Sequence, residues 1–119
     1  MKDFRQLQVW QKAHSIVLEI YQVTADFPKE ERFGLISQIR RASVSVPSNI
    51  AEGCGRGGDA ELARFLQIAM GSDSEIEYQL LLSNDLRYMK VMDYERLAGM
   101  VIEVKKMLAS FINRLKADS

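Results

Sequence analysis

Apolar residues recur at three- and four-residue spacing in four long segments, and short polar stretches separate these segments. This period is typical of α-helices that bury one face. The first segment shows it with Trp10, Ala13, Val17, Ile20 and Thr24. The pattern predicts helices over about 7–25, 29–54, 60–88 and 93–116, with Asp59 and Asp93 as N-caps of the last two. Four long helices and three short loops predict an all-α, antiparallel up-down-up-down four-helix bundle in one domain, residues 1–119.

Pro47 lies inside the second predicted helix, whose buried stripe is expected to be Ile36, Ile39, Ser43, Val46, Ile50 and Cys54. A proline in a helix interior costs about 3 kcal/mol, since it lacks an N–H and crowds the carbonyl one turn back. One interpretation is a packed kink that curves the helix around the core. Another is a kink that exposes Ser45, Ser48 and Asn49 as a binding surface. A break into two helices is a third possibility.

A polar stripe follows the same helix at four- and three-residue spacing. This polar stripe consists of Arg41, Ser45, Ser48, Glu52 and Arg56. It is interpreted as a solvated or subunit-facing seam, within which Glu52 and Arg56 form an i,i+4 pair. The functional alternative is a set of phosphate contacts, because arginine presents a planar fork of donors. That candidate nucleic-acid site consists of Arg40, Arg41, Arg56 and Arg64.

Composition narrows the class of protein. The chain has 119 residues, of which 47% are apolar, and its 16 basic and 16 acidic side chains balance. This balance disfavours a protein that coats DNA, since such proteins are usually strongly basic. A single cysteine excludes an intramolecular disulfide and favours a reducing compartment. The sequence shows neither the apolar run of a signal peptide nor a membrane span, so we expect a cytoplasmic protein with no membrane partner.

The sequence offers few candidate catalytic or metal-binding residues. His14 and Cys54 are the single histidine and the single cysteine, fewer than common zinc or di-iron sites need. The glycine-rich run at residues 53–58 follows a helix and lacks the lysine and hydroxyl of a phosphate-binding loop. We therefore predict no catalytic residue, no metal and no cofactor. In an oligomer, three acidic residues of the third helix are expected to pair with arginines of the second helix, from the same or an adjacent subunit: Asp73, Glu75 and Glu77.

One block is distinctive: Ser45-Val46-Pro47-Ser48-Asn49-Ile50-Ala51-Glu52-Gly53. Together with segments at 4–13, 27–30, 34–42 and 68–77, it resembles the four-helix-bundle proteins encoded within intervening sequences of bacterial 23S ribosomal RNA genes, also called the S23 ribosomal protein family. The resemblance implies that Ser45, Pro47, Ser48, Asn49, Glu52 and Gly53 form a family motif. It also implies a homopentameric ring and no enzymatic activity.

The resemblance further implies similarity to the accessory proteins of diversity-generating retroelements, which form pentameric barrels, bind nucleic acid and contact a reverse transcriptase. The expected function is a non-enzymatic oligomer that associates with RNA or DNA through the four arginines. The alternative is a protein-interaction scaffold for a reverse transcriptase or a ribosome-associated protein. Extra apolar lines in the first and fourth helices favour subunit contacts, and a wider core is the other interpretation of them. These lines are Val9, Ile16 and Val23, and Met100, Val104 and Met107.

Overall fold

The computed structural model describes residues 2–118, which contain four α-helices and no strand. The helices are α1 (Gln8–Thr24), α2 (Leu35–Cys54), α3 (Asp59–Asp85) and α4 (Val91–Asp118). Short 3-10 helices lie at Phe4–Gln6 and Lys29–Glu31. No helix among the described residues combines the length and the apolarity needed to cross a membrane. The all-α prediction is confirmed.

Contacts between neighbouring helices show that they alternate in direction. Arg40 near the start of α2 bonds to Thr24 at the end of α1, whereas the Lys2 N–H ahead of α1 bonds to the Cys54 carbonyl at the end of α2. On the opposite edge, two ion pairs join α1 to α4 in antiparallel register. They are Lys12–Glu103 and Glu19–Arg96, each at 2.7 Å. The chain therefore runs up, down, up and down around one core.

The core takes one broad stripe from every helix, and its largest fully buried side chains include Ile16, Ile39, Leu66, Leu80 and Leu108. Three members of the extra apolar lines, Val9, Ile16 and Val104, are buried in this same core. Those members therefore follow the wider-core interpretation. The predicted α2 stripe is also buried, apart from its first member, Ile36, which is half-buried.

The predicted start of α2 at residue 29 is wrong by six residues. A single 3-10 turn follows Pro28, and the α-helix begins only after Gly34. Glu31 then caps this helix, because its Oε1 accepts the Leu35 N–H at 3.1 Å. The side chain thereby satisfies one of the amide groups that the first helical turn leaves without a partner.

Both predicted N-caps are also corrected. Gly58 holds the N-cap position of α3, so Asp59 is the first residue of the helix. Helix α4 begins two residues before Asp93, whose carboxylate accepts from Arg96 Nη1 at 3.0 Å. Both acids still lie in first turns, where a negative charge favours the positive end of the helix dipole.

The end of α3 at residue 85 rather than 88 reflects a Schellman turn. The Tyr88 N–H bonds to the Ser83 carbonyl and the Arg87 N–H to the Asn84 carbonyl, both at 3.0 Å. Arg87 therefore takes the left-handed conformation, with φ of 62°, at a position where glycine is usual. This tight turn lets α4 begin at Val91 and extend to Asp118.

Candidate functional site: the face of α2 and α3

Pro47 lies within an uninterrupted helix. Helix α2 continues from Leu35 to Cys54 with Pro47 buried inside it, so the interpretation as two separate helices is wrong. Near the proline, Ser43 Oγ donates to the Arg40 carbonyl at 2.8 Å. The buried ring adds to the packing of α2, and this burial opposes the cost of the lost backbone hydrogen bond.

The hydroxyl of Ser45 joins α2 to α3. Its Oγ lies 2.8 Å from Ser72 Oγ on α3, and Asn49 Nδ2 donates to it at 3.0 Å. The same amide donates to the Ser45 carbonyl at 2.8 Å. Ser45 and Asn49 thus lock a polar junction between the two helices. Ser48, the third residue of the candidate binding surface, is exposed and free of this junction.

Gly53 marks the closest approach of α2 to α3. A Cβ atom at this position would lie 2.9 Å from both Leu62 Cδ1 and Phe65 Cβ. Phe65 Cβ is fixed to its own backbone, so a methyl group would push the helices apart. The glycine of the motif is therefore explained by close packing, and Glu52 beside it remains exposed.

Two of the four candidate arginines meet around one aromatic ring. The guanidinium groups of Arg56 and Arg64 lie 5.0 and 4.5 Å from the centroid of Phe65. Arg56 also pairs with Glu52 at 2.9 Å, and Arg64 with Glu61 at 3.0 Å. The bond to Arg64 lowers the pKa of Glu61 and raises that of Arg64. Each cation in this cluster therefore has its own carboxylate.

The other two arginines are adjacent in sequence but differ in their surroundings. Arg40 donates to Thr24 Oγ1 at 2.9 Å and to the Tyr21 carbonyl at 3.2 Å, and it lies over the Tyr21 ring. Arg41 is exposed and makes no polar contact with the described residues. At about 1.5 Å of rise per residue, Arg41 is roughly 20 Å from the end of α2 at Cys54, and Arg56 follows that end. The four arginines do not form one cluster.

Arg41 lines an open groove between α2 and α3, with a volume of about 430 Å³. The groove floor includes the Ser45–Ser72 junction, and Phe33 stands at its edge with 89% of its surface exposed. Ser37 and Gln38 add polar groups, while Glu75 supplies the one carboxylate among the described lining residues. The groove joins a free guanidinium, an exposed ring and several hydrogen-bonding groups.

Comparison with known proteins places this geometry in a family. The family model described as 23S rRNA-intervening sequence protein matches residues 5–110. The chain belongs to this family. The matched span of this 23S rRNA-intervening sequence protein contains the whole motif from Ser45 to Gly53 and the groove beside it. No curated protein matches the chain.

A solved structure of the same kind supports the assignment. It is the crystal structure of a protein with unknown function from the S23 ribosomal protein family of Bacteroides thetaiotaomicron VPI-5482. The two chains are 27% identical with a TM-score of 0.79, and the match covers 87% of this chain and 97% of the other. Membership among the 23S rRNA-intervening sequence proteins thus accounts for the fold without assigning an activity.

The sequence did not indicate that Asp73 is buried in this family member. Its side chain is 0% exposed, and neither carboxylate oxygen has a hydrogen-bond partner among the described residues. Burial raises the pKa of Asp73 from 3.8 to about 7, although Lys105 opposes the rise. The signal for this position was its place in the three- and four-residue spacing, one turn after buried Ala69 and three residues before Ile76.

The expected pairing of the acidic residues with arginines of α2 does not occur among the described residues of one subunit, and pairing with an adjacent subunit stays a prediction. Glu77 pairs with Lys105 of α4 instead, and Glu75 accepts from Gln79 Nε2 at 3.1 Å. The two remaining candidate catalytic residues, His14 and Cys54, also take part in packing contacts of the bundle. His14 stacks on Trp10 with ring centroids 5.0 Å apart, and burial raises the pKa of the Cys54 thiol. The described residues contain no cluster of potential metal ligands.

Proposed function

We propose that this 23S rRNA-intervening sequence protein is a non-enzymatic, cytoplasmic module that assembles into a ring of identical subunits, the homopentamer that its family resemblance implies. The observation that supports assembly is a pair of exposed apolar faces on opposite sides of the bundle. A closed ring needs two different surfaces on each subunit, because every subunit contacts two neighbours through unlike patches.

The first apolar face lies along α1 and α2. Leu18 points away from the core, with 59% of its surface exposed, and Tyr21 follows it by three residues. Arg40 touches the Tyr21 ring from α2, and exposed Val44 lies one helical turn beyond Arg40. Leu18, Tyr21 and Val44 therefore share one surface, which we call the α1–α2 face.

The second apolar face lies along α3 and α4. The Glu77–Lys105 ion pair joins these helices. Leu81 lies one turn after Glu77, and Ile102 lies one turn before Lys105. Because the helices run antiparallel, these two exposed side chains lie side by side. Leu81 and Ile102, which we call the α3–α4 face, thus offer a partner surface for the α1–α2 face of the next subunit.

Two double variants test the ring, one for each face. Leu18→Glu with Val44→Glu disables the α1–α2 face, and Leu81→Glu with Ile102→Glu disables the α3–α4 face. Sedimentation velocity is expected to show an oligomer for the wild type and a monomer for each variant. An equimolar mixture should then form a dimer, because one intact face of each kind remains. Ile68→Glu, an exposed isoleucine one turn before Ser72, is the matched control and should leave the oligomer intact.

The outcomes separate a ring from other assemblies. A wild-type protein that stays monomeric at high concentration contradicts the proposal. Variants that still dimerise alone indicate an interface between like surfaces, and a mixture that stays monomeric shows that the two faces do not meet.

A second candidate function, association with RNA, is favoured by the groove between α2 and α3. Arg41 is the member of the predicted arginine set that has no polar partner among the described residues, and Phe33 beside it offers an exposed ring. Single-stranded nucleic acid is commonly bound by such a combination of stacking and charge. The paired Arg56 and Arg64 are expected to contribute less, because a phosphate would have to displace Glu52 and Glu61.

The test of this candidate is binding of single-stranded RNA by the wild type and by Arg41→Ala, Phe33→Ala and Arg56→Ala across a salt series. The first two variants should weaken binding, whereas Arg56→Ala should not. If the wild type shows no binding at low salt, the groove is left to the scaffold alternative, in which a protein partner occupies it.

A further inference from the structure

A fourth surface, between the start of α1 and the end of α4, has only positive charges among its described residues. It is a groove of about 570 Å³ that we call the basic groove. Its apolar lining consists of Leu7, Val9, Met107 and Phe111. The ionisable residues around it are Lys2, Lys106 and Arg114, so every charge on the described lining is positive. The groove lies apart from the α1–α2 face, the α3–α4 face and the groove of Arg41.

The wall of the basic groove is held in place by the segment that precedes α1. The Lys2 N–H bonds to the Cys54 carbonyl at 3.3 Å, and Gln11 Nε2 donates to the Arg5 carbonyl at 2.9 Å. The Phe4 ring packs on Trp10 at 4.9 Å between centroids. These contacts tie the segment to two helices, so the groove exists before any ligand binds.

The positively charged side chains at the edge of the basic groove, which we call its rim, are available to pair with a ligand. Lys106 has no ionic partner among the described residues, and Arg114 makes only a cation–π contact, 5.4 Å from the Phe111 ring centroid. In contrast, Lys12 and Lys105 elsewhere on the bundle pair with glutamates. Helix α1 adds to the positive field, because its first turn contains no acidic residue and Leu7 provides no side-chain cap.

We propose that the basic groove binds an acidic, amphipathic peptide segment of a partner protein, in which apolar anchors alternate with glutamate or aspartate. The apolar floor takes the anchors, and Lys2, Lys106 and Arg114 pair with the flanking carboxylates. The positive charge of the rim selects a negatively charged partner. The recessed apolar floor selects a partner with an apolar side chain that inserts into it.

Other occupants fit the groove less well. A nucleic acid would match the charge, but Phe111 is only 9% exposed and its ring offers little face on which a base could stack. An anionic membrane would meet the rim without filling the concave floor between the two helices. A peptide satisfies both the rim and the floor.

Fluorescence anisotropy with a panel of labelled peptides tests the proposal on the full-length protein. The probe is a short peptide of alternating glutamate and leucine. Three control peptides replace its glutamates by lysine, its glutamates by glutamine, or its leucines by serine. The protein variant Lys106→Glu/Arg114→Glu reverses two rim charges, and Lys29→Glu/Lys90→Glu makes the same change of net charge at the opposite end of the bundle.

The glutamate–leucine peptide is expected to bind, with every control peptide at least about tenfold weaker. The rim variant should lose at least about tenfold in affinity, since it replaces attraction by repulsion, and the Lys29/Lys90 variant should match the wild type. The proposal is overturned if the wild type does not bind this peptide, if the glutamine peptide binds equally well, or if the rim variant retains affinity. It is also overturned if reversing the rim charges abolishes self-association or binding to phosphatidylserine vesicles while peptide binding persists, because the groove then serves a second copy or a lipid surface.

Discussion

Arg40 Nε donates a hydrogen bond to Thr24 Oγ1 across 2.9 Å, and this contact fastens the start of α2 to the end of α1. Thr24 is itself buried and donates to the Ile20 carbonyl at 2.6 Å. A chain of hydrogen bonds therefore runs from the arginine through the threonine into α1. The adjacent Arg41 has no such role.

The two neighbouring arginines are predicted to affect stability very differently. Arg40→Ala removes the donor to Thr24 and to the Tyr21 carbonyl, and should lower the free energy of unfolding by about 1–3 kcal/mol. Arg41→Ala should change it by less than about 0.5 kcal/mol, as is usual for an exposed side chain. Urea unfolding of both variants measures the difference, and equal values would contradict the structural role of Arg40.

Two glycine substitutions are predicted to change the stability of the fold in opposite directions. Gly53→Ala places a methyl group 2.9 Å from Leu62 Cδ1 and Phe65 Cβ, and the overpacking should cost about 1–3 kcal/mol of stability. The added methyl group of Gly99→Ala on α4 meets no described residue within 4 Å, and the substitution should gain about 0.5–1 kcal/mol from helix propensity. Thermal unfolding of the pair provides the comparison. A stabilising Gly53→Ala would show that α2 and α3 have room to separate.

Asp73 is predicted to make stability fall as pH rises. Its folded-state pKa of about 7 lies above the unfolded value of 3.8, so its favourable contribution is complete below pH 3.8 and is lost as pH rises through about 7. Three pKa units correspond to roughly 4 kcal/mol. The groups that act on it are Lys105, which lowers its pKa, and Glu77, which raises it.

Asp73→Asn removes this titration and should stabilise the protein most at pH 8, less at pH 5 and little below pH 3.8. Urea unfolding at pH 5 and at pH 8 measures the change in stability, and Asp85→Asn at an exposed position is the control for net charge. An equal effect of Asp73→Asn at the two pH values would mean that the carboxyl group is already ionised at pH 5.

Arg87→Gly is predicted to stabilise the bundle by about 1 kcal/mol. The left-handed conformation at φ of 62° strains any residue with a Cβ atom, and glycine adopts it freely. The Schellman hydrogen bonds of Tyr88 and Arg87 should persist, so the circular dichroism spectrum should not change. A loss of stability would show that the Arg87 side chain makes a contribution that outweighs the strain.

The spacing of apolar residues predicted the four helices and most of the core, because long amphipathic periods leave few alternatives. It could not predict that the α-helix begins at Leu35 rather than residue 29, since Glu30 and Glu31 are as suitable for a 3-10 turn as for a helical first turn. Asp73 also fits the same period, between Ala69 and Ile76, but no core position was predicted for it. The residue type led instead to the expectation of a surface ion pair.

The candidate arginines show more clearly which contacts the sequence could not predict. Their sequence spacing placed Arg41 and Arg56 on one stripe, but it could not reveal that Arg56 pairs with Glu52 and shares the Phe65 ring with Arg64. Nor could it tell Arg40 from Arg41, because the difference depends on Thr24 and Tyr21 of another helix. Such pairings arise from tertiary contacts between side chains that no periodicity in one helix encodes.

The two edges of the bundle are joined by different forces. Ion pairs between exposed groups, Lys12–Glu103 and Glu19–Arg96, connect α1 to α4, whereas α2 and α3 meet through the Gly53 contact and the Ser45–Ser72 hydroxyls. Salt screens the first kind of link and leaves the second almost untouched. Concentrated salt is therefore expected to weaken only the ionic part of the α1–α4 contact, while the apolar core shared by these helices and the hairpin that contains residues 45–53 keep their packing.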